Sequence, residues 1–254
     1  GFKSGGINTD RISPALNPVF DAETATTFEL GLKRDWPEYD LRLNAAAYIG
    51  RIDDYQATTF TGTGFNLQNA GSIDTKGLEL EITWLATQES QLHLAYARNL
   101  ATFDEFEQGT CWVAYTWHTG IDDPGRQSAN DPYCSRAGDR VGFEPQNTLS
   151  LRYEYAFSLA GFDNTLSIDY QYVGDVFLDD TNDPLKHVGS YDLTHARLSA
   201  RLPDWDGEII LWLRNAFDQN YTARNGFDVP IQPGKIMTHP GQPRQFGATF
   251  LYHF

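Results

Sequence analysis

The sequence predicts an all-β fold, a transmembrane antiparallel up-and-down β-barrel, with about ten strands in these 254 residues. Three observations point there. Apolar side chains recur with period two, the repeat of a strand whose successive residues face opposite sides. Short and long connections alternate along the chain, as they do when every long loop of an up-and-down sheet leaves from one end. Aromatic residues gather near strand ends, where Tyr and Trp suit a zone that is half apolar and half wet.

Strands are expected near 1–8, 22–34, 38–57, 66–86, 90–106, 145–158, 162–178, 187–202, 206–217 and 243–254. In the second, Phe28, Leu30 and Leu32 alternate with Glu29, Gly31 and Lys33. In the third, Leu41, Leu43, Ala45, Ala47 and Ile49 oppose Arg42, Asn44 and Tyr48. Leu78, Leu80, Ile82 and Trp84 oppose Glu79 and Glu81, and Leu92, Leu94 and Tyr96 oppose Gln91 and His93. Leu149, Leu151, Tyr153, Tyr155 and Phe157 oppose Arg152 and Glu154, and Leu166, Ile168, Tyr170 and Tyr172 oppose Asp169 and Gln171. The stretch 187–202 is less clean, and in 206–217 Trp212 shares the polar face with Glu208 and Arg214. The last strand ends RQFGATFLYHF, with Phe246, Ala248, Phe250, Tyr252 and Phe254 on one face.

Between these strands, DWPEYD, ATQES, SLAGFDN and PDWDG are short. Residues 9–21, 59–65, 108–143, 179–187 and 219–243 make the long connections. Alternation alone fits a soluble sheet as well as a membrane barrel. Loop sorting, aromatic placement and strands longer than the 9–11 residues that span a bilayer when tilted favour the barrel, apolar side to lipid and polar side to a wet lumen.

Composition narrows the function. Aromatics make up 14% of a chain whose mean hydropathy is −0.46. A formal net charge of −15 argues against nucleic-acid binding. No run of 18 apolar residues provides a membrane helix. The abrupt opening GFKSGGINTD lacks a leader pattern and predicts a piece of a longer protein. The two cysteines, Cys111 and Cys134, share one polar stretch; an even count there fits a disulfide in an oxidising compartment, and two free thiols would look the same.

No catalytic or metal signature emerges. Glu79 and Glu81 share a strand face and read as lumen residues rather than an acid/base pair. The six histidines fall at no metal-ligand spacing, and neither a nucleophile elbow nor a phosphate loop occurs. GTGF at 62–65 reads as a turn. DDTND at 179–183 is carboxylate-rich but lacks Ca²⁺-loop grammar, so a solvated loop is expected.

Several segments resemble the TonB-dependent outer-membrane receptors. ETATTFELGLKRD at 23–35 is similar to their E-x-x-x-x-x-E-x-G-x-K strand, and LRLNAAAYIGRIDDYQ at 41–56 to their L-x-x-N-A-A-x-Y strand. NAGSIDTKGLELEITW at 69–84 resembles their N-A-G-x-x-x-x-x-G-L-E-x-E segment. LWLRNAFDQNY at 211–221 resembles N-[LA]-F-D-x-x-Y, RQFGATFLYHF the closing strand, and GFKSGGIN at 1–8 a strand-to-loop motif of mid-barrel. The resemblance implies that residues 1–254 are the C-terminal portion of the barrel, roughly the last ten of 22 strands. A plug domain, a TonB box and the first half of the barrel would then lie outside this chain. It further implies an outer-membrane receptor for a scarce nutrient, first a ferric siderophore, with cobalamin, nickel chelates and oligosaccharides open. Implied partners are TonB–ExbB–ExbD through the N-terminal region, the plug, lipopolysaccharide and lipid. The outer-membrane assembly machinery would read Phe254 as its signal.

The stretch CWVAYTWH lies in the longest connection. Exposed aromatics are costly unless they pack or bind, so Trp112, Tyr115, Trp117 and His118 are the expected ligand contacts, with packing against neighbouring loops or the lipopolysaccharide zone as the alternative. A Cys111–Cys134 bridge would close about 24 residues and stabilise their shape by about 3 kcal/mol. Two rivals remain: a passive porin-like or autotransporter barrel, and a soluble β-sandwich binding carbohydrate through Trp112 and Trp117.

Overall fold

The computed structural model describes residues 1–9, 17–60, 65–202, 206–229, 232–252 and 254. Ten strands form one antiparallel sheet: β1 (Phe2–Lys3), β2 (Glu23–Trp36), β3 (Leu41–Asp53), β4 (Ser72–Leu85), β5 (Ser90–Glu105), β6 (Asn147–Leu159), β7 (Phe162–Val173), β8 (Tyr191–Leu202), β9 (Gly207–Arg214) and β10 (Gln245–Tyr252). Each pairs with its neighbours in chain order, and β1 and β10 are the two edges. All ten expected strands are present. β2 to β5 run 14, 13, 14 and 16 residues, enough to cross a bilayer at a tilt.

The register sorts the side chains. Directly opposed residues form one row across nine strands: Trp36, Leu41, Trp84, Leu92, Tyr153, Ile168, Ala196, Leu213 and Phe246. Opposed residues of an antiparallel pair share a face, so this face is apolar from edge to edge. Displaced by one residue, the row Asp35, Arg42, Thr83, His93, Arg152, Asp169 and His195 occupies the other face. Its members bond to one another, Arg42 Nε to Asp35 at 2.7 Å and Arg152 Nε to Asp169 at 2.6 Å.

The apolar face stays uncovered: Leu30 is 80% exposed and Phe246 83%. No second sheet packs on it among the described residues, which removes the soluble-sandwich reading. A face of this kind is at home in hydrocarbon, where the ladder satisfies its backbone polar groups. No helix is long and apolar enough to cross a membrane.

Trp212, the misfit of the polar face, lies over Gly247 directly opposite, where a Cβ would come within 2.3 Å of its ring. Arg214 stacks on the same ring at 5.0 Å. The bare glycine backbone gives the indole its seat.

The principal buried apolar cluster lies at the loop end, not within the wall. Ile73 and Phe103, at the tops of β4 and β5, pack with Ala57, Ala70 and Phe106. Phe103 meets Phe106 edge-on at 5.0 Å. Ile73 and Phe103 belong to the polar-side set of the register, so the cluster closes over the lumenal side of the wall. Residues 59–65, expected as a long connection, are instead flanked by a hairpin in which Gln56–Phe60 pairs with Phe65–Asn69. The GTGF turn, apart from Phe65, and most of PDWDG lie outside the described residues.

Candidate functional site

The connection between β5 and β6 carries α1 (Ala114–Thr119), a six-residue helix in a segment for which the sequence offers no helical period. Its shape comes from long-range bonds. Cys111 and Cys134 are joined, with Cα atoms 5.1 Å apart. The helix has no side-chain cap of its own. Asp183, from the connection between β7 and β8, accepts from the Tyr115 amide at 3.1 Å, so an acid from another loop satisfies a first-turn donor. Ala114 is fully buried beneath.

Arg136 is the hub. Its side chain is 2% exposed and that of its partner Asp123 0%, with Nη2 and Oδ1 2.5 Å apart. Arg136 also reaches Asp139 at 3.3 Å and donates to the Thr181 carbonyl. Asp123 accepts in turn from the Trp112 amide at 2.8 Å and the Gly125 amide at 2.8 Å. Trp112 Nε1 donates to the Thr181 carbonyl at 2.7 Å. Burial pushes the Asp139 carboxyl up to about 6, against the pull of Arg136.

DDTND is not the solvated loop expected. Asp179 pairs with Lys186 at 2.5 Å and accepts from Thr181 Oγ1 at 2.6 Å. Asp180 accepts from the Gly142 amide, and its carboxyl is raised chiefly by burial. Asp183 also accepts from the Leu185 amide at 2.8 Å. Each carboxylate answers a protein donor, and the segment stitches two loops together.

The four expected contact residues part ways. Trp112 and Tyr115 turn inward and meet edge to face at 5.4 Å. Trp117 and His118 lean toward the connection between β9 and β10. His118 Nε2 lies 2.5 Å from the Gly234 carbonyl, which makes that nitrogen the donor. Gly234 has φ +78°, and a Cβ there would sit 2.0 Å from the Trp117 ring. Trp117 nevertheless remains 65% exposed. Three connections thus converge on α1, and one indole is left facing out. Sequence reasoning missed Arg136 and Asp123, whose spacing has no period, and read Asp183 only as part of a solvated DDTND loop. Tyr221, in the connection between β9 and β10, stacks on Tyr191 at 4.7 Å.

A family model described as TonB dependent receptor-like, beta-barrel matches residues 1–216. The ferric yersiniabactin uptake receptor FyuA from Yersinia pestis is 20% identical with a TM-score of 0.75, over 100% of this chain and 34% of that one. The ferric-catecholate import receptor Fiu from E. coli K12 is 21% identical with a TM-score of 0.63, over 99% and 30%. The copper transporter OprC is 14% identical with a TM-score of 0.66, over 96% and 33%. The chain spans about a third of the length of these structures, and the likeness is one of fold.

Proposed function

Because the chain belongs to the TonB-dependent receptor β-barrel family and its sheet lies in the bacterial outer membrane, we propose that it is the C-terminal portion of a receptor for active, TonB-dependent uptake of a ferric siderophore. The observation that carries this reading is α1, held by three loops at one end of the sheet with Trp117 exposed. Ordering an aromatic that way offers a rigid, weakly hydrated face to an incoming ligand at little entropic cost on binding. The rest of the barrel, the plug and the TonB box would lie outside this chain, with TonB–ExbB–ExbD as energy source. The passive-barrel reading predicts no plug or TonB box upstream.

The test uses the full-length receptor. Trp117→Ala should weaken ferric-siderophore binding, read by quenching of tryptophan fluorescence, by about 30-fold, the size of an interface hot spot. Uptake of radiolabelled iron should also require TonB. Affinity unchanged by Trp117→Ala would remove the site. Uptake that persists without TonB would leave a passive barrel. Competition between ferric chelates and cupric ion separates iron from copper, since one of the similar structures is a copper transporter.

A further inference from the structure

The loops around α1 carry their positive charge already neutralised. The β5–β6 and β7–β8 connections, residues 106–146 and 174–190, contain four cations against ten carboxylates, a net charge of −6. All four cations are committed: Arg126 to Asp122 at 2.8 Å, Arg136 to Asp123 at 2.5 Å, Arg140 to Asp175 at 2.6 Å and Lys186 to Asp179 at 2.5 Å. Arg136 and Lys186 are buried as well. The third connection, residues 215–244, adds a net +1. There Lys235, which follows Gly234, donates to Gln232 Oε1 at 2.8 Å.

What α1 and its surroundings present instead is apolar. Val113 and Trp117 stand one turn apart, with the Trp117 amide bonded to the Val113 carbonyl at 3.0 Å, so they share a face. Leu185 sits on the short turn Pro184–Lys186 that packs against α1, and Ile121 follows the helix. All four side chains are exposed. Such a surface gains by covering a weakly hydrated ligand and has little to offer an anion in exchange for its water. The negative balance of the loops opposes the approach of a polyanion and tolerates a neutral or cationic body.

Taking Trp117 as a ligand contact, we propose that the site accepts a ferric chelate without net negative charge, of the hydroxamate kind, and rejects the complex of three catecholates. Each hydroxamate brings one negative charge to iron(III), so three leave the complex uncharged; each catecholate brings two, so three leave it trianionic. Asp122 enforces the choice by holding Arg126, the cation closest in sequence to α1.

The test uses the full-length receptor in detergent and the iron complexes of one tripodal scaffold built with three hydroxamate or three catecholate arms. Binding is read by quenching of tryptophan fluorescence, and heat-dependent gel mobility reports whether each barrel is folded. Wild type should bind the uncharged complex about tenfold or more tightly than the trianion. Raising salt from about 0.01 M to about 0.5 M should strengthen trianion binding, because repulsion is screened, and leave the uncharged complex unmoved. Asp122→Asn should shift the ratio of the two affinities toward the trianion by about fivefold at low salt, the effect of one unit charge about 10 Å away through water. Equal or tighter binding of the trianion, a trianion affinity that falls with salt, or an unshifted ratio in Asp122→Asn would overturn the charge rule while leaving Trp117 as a contact. Binding of the uncharged complex unchanged by Trp117→Ala, or no binding of either complex to the folded receptor, would overturn the contact and the charge rule with it.

Discussion

Arg136→Met in the full-length receptor should loosen the loop unit and leave the wall intact. The magnitude follows from what the guanidinium leaves behind. Asp123 has no exposure, and without Arg136 it keeps only the Trp112 and Gly125 amides. The Thr181 carbonyl keeps Trp112 Nε1. Breaking one side of a buried ion pair costs about 3–5 kcal/mol because the survivor is an uncompensated charge. Three of those kilocalories raise the open population of the loops more than about a hundredfold. Hydrogen exchange at the Trp112, Tyr115 and Gly125 amides reads that population directly. Arg136→Met with Asp123→Asn should recover much of the loss, since the buried charge is then gone. Exchange accelerated less than about fivefold in the single variant, or no recovery in the double, would refute the hub.

Other outcomes follow from the same network. Trp112→Ala should destabilise the loops by about 3 kcal/mol, through a lost indole bond and the space vacated, in a chemical melt of the loop unit. Trp117→Ala should leave that melt unchanged while weakening ligand binding. Reduction of Cys111–Cys134 should add about 2 Da to the mass and remove about 3 kcal/mol of loop stability, read as faster proteolysis between β5 and β6. The Asp139 carboxyl is raised to about 6 in the fold, so the folded loops bind its proton more tightly than the unfolded chain does. Loop stability should therefore rise as pH falls from 7 toward 5, and a fall over that window would contradict the assignment. Deleting Phe254 should lower the amount of receptor in the outer membrane without changing the stability of the protein that arrives.

The wall was legible in the sequence because a bilayer imposes a strict rule. Outward positions that meet the hydrocarbon must be apolar, so the period of two runs unbroken through Leu41 to Ile49 or Leu149 to Phe157. Interruptions mark the points where another rule takes over. Trp212 broke the pattern, and its partner Gly247, thirty-five residues on, explains it only once the register is known. The loop unit was illegible for the same kind of reason. Asp183 caps a helix sixty-eight residues away, and Arg136 reaches Asp123 across a disulfide loop. Contacts of that length leave no local period or motif. In the β5–β6 connection the cysteines and the aromatic cluster were the local signals, and they did not separate the inward-turned Trp112 from the exposed Trp117.

The two halves of the molecule are stabilised by different solvents, and that division bears on function. The wall needs no packed core: its ladder bonds are internal and its apolar side chains meet lipid. The loops have no lipid to meet and project into water, so they must build a core of their own from few residues. They do so with a disulfide, a buried Arg136–Asp123 pair and the Phe103 cluster, devices that a small domain with little apolar mass requires. Ion pairs and bonds to specific carbonyls are less tolerant of sliding than apolar contacts are. The β5–β6 and β7–β8 connections, joined through Arg136, Thr181, Asp183 and Trp112, are therefore bound to move as one body. Trp117 rides on that body while Gly234 belongs to a third loop held to it by His118 alone among the hydrogen bonds described. Any rearrangement around a ligand at Trp117 should then occur at the Gly234 contact, and spin labels across that contact should change separation on binding while labels within the Arg136 network do not.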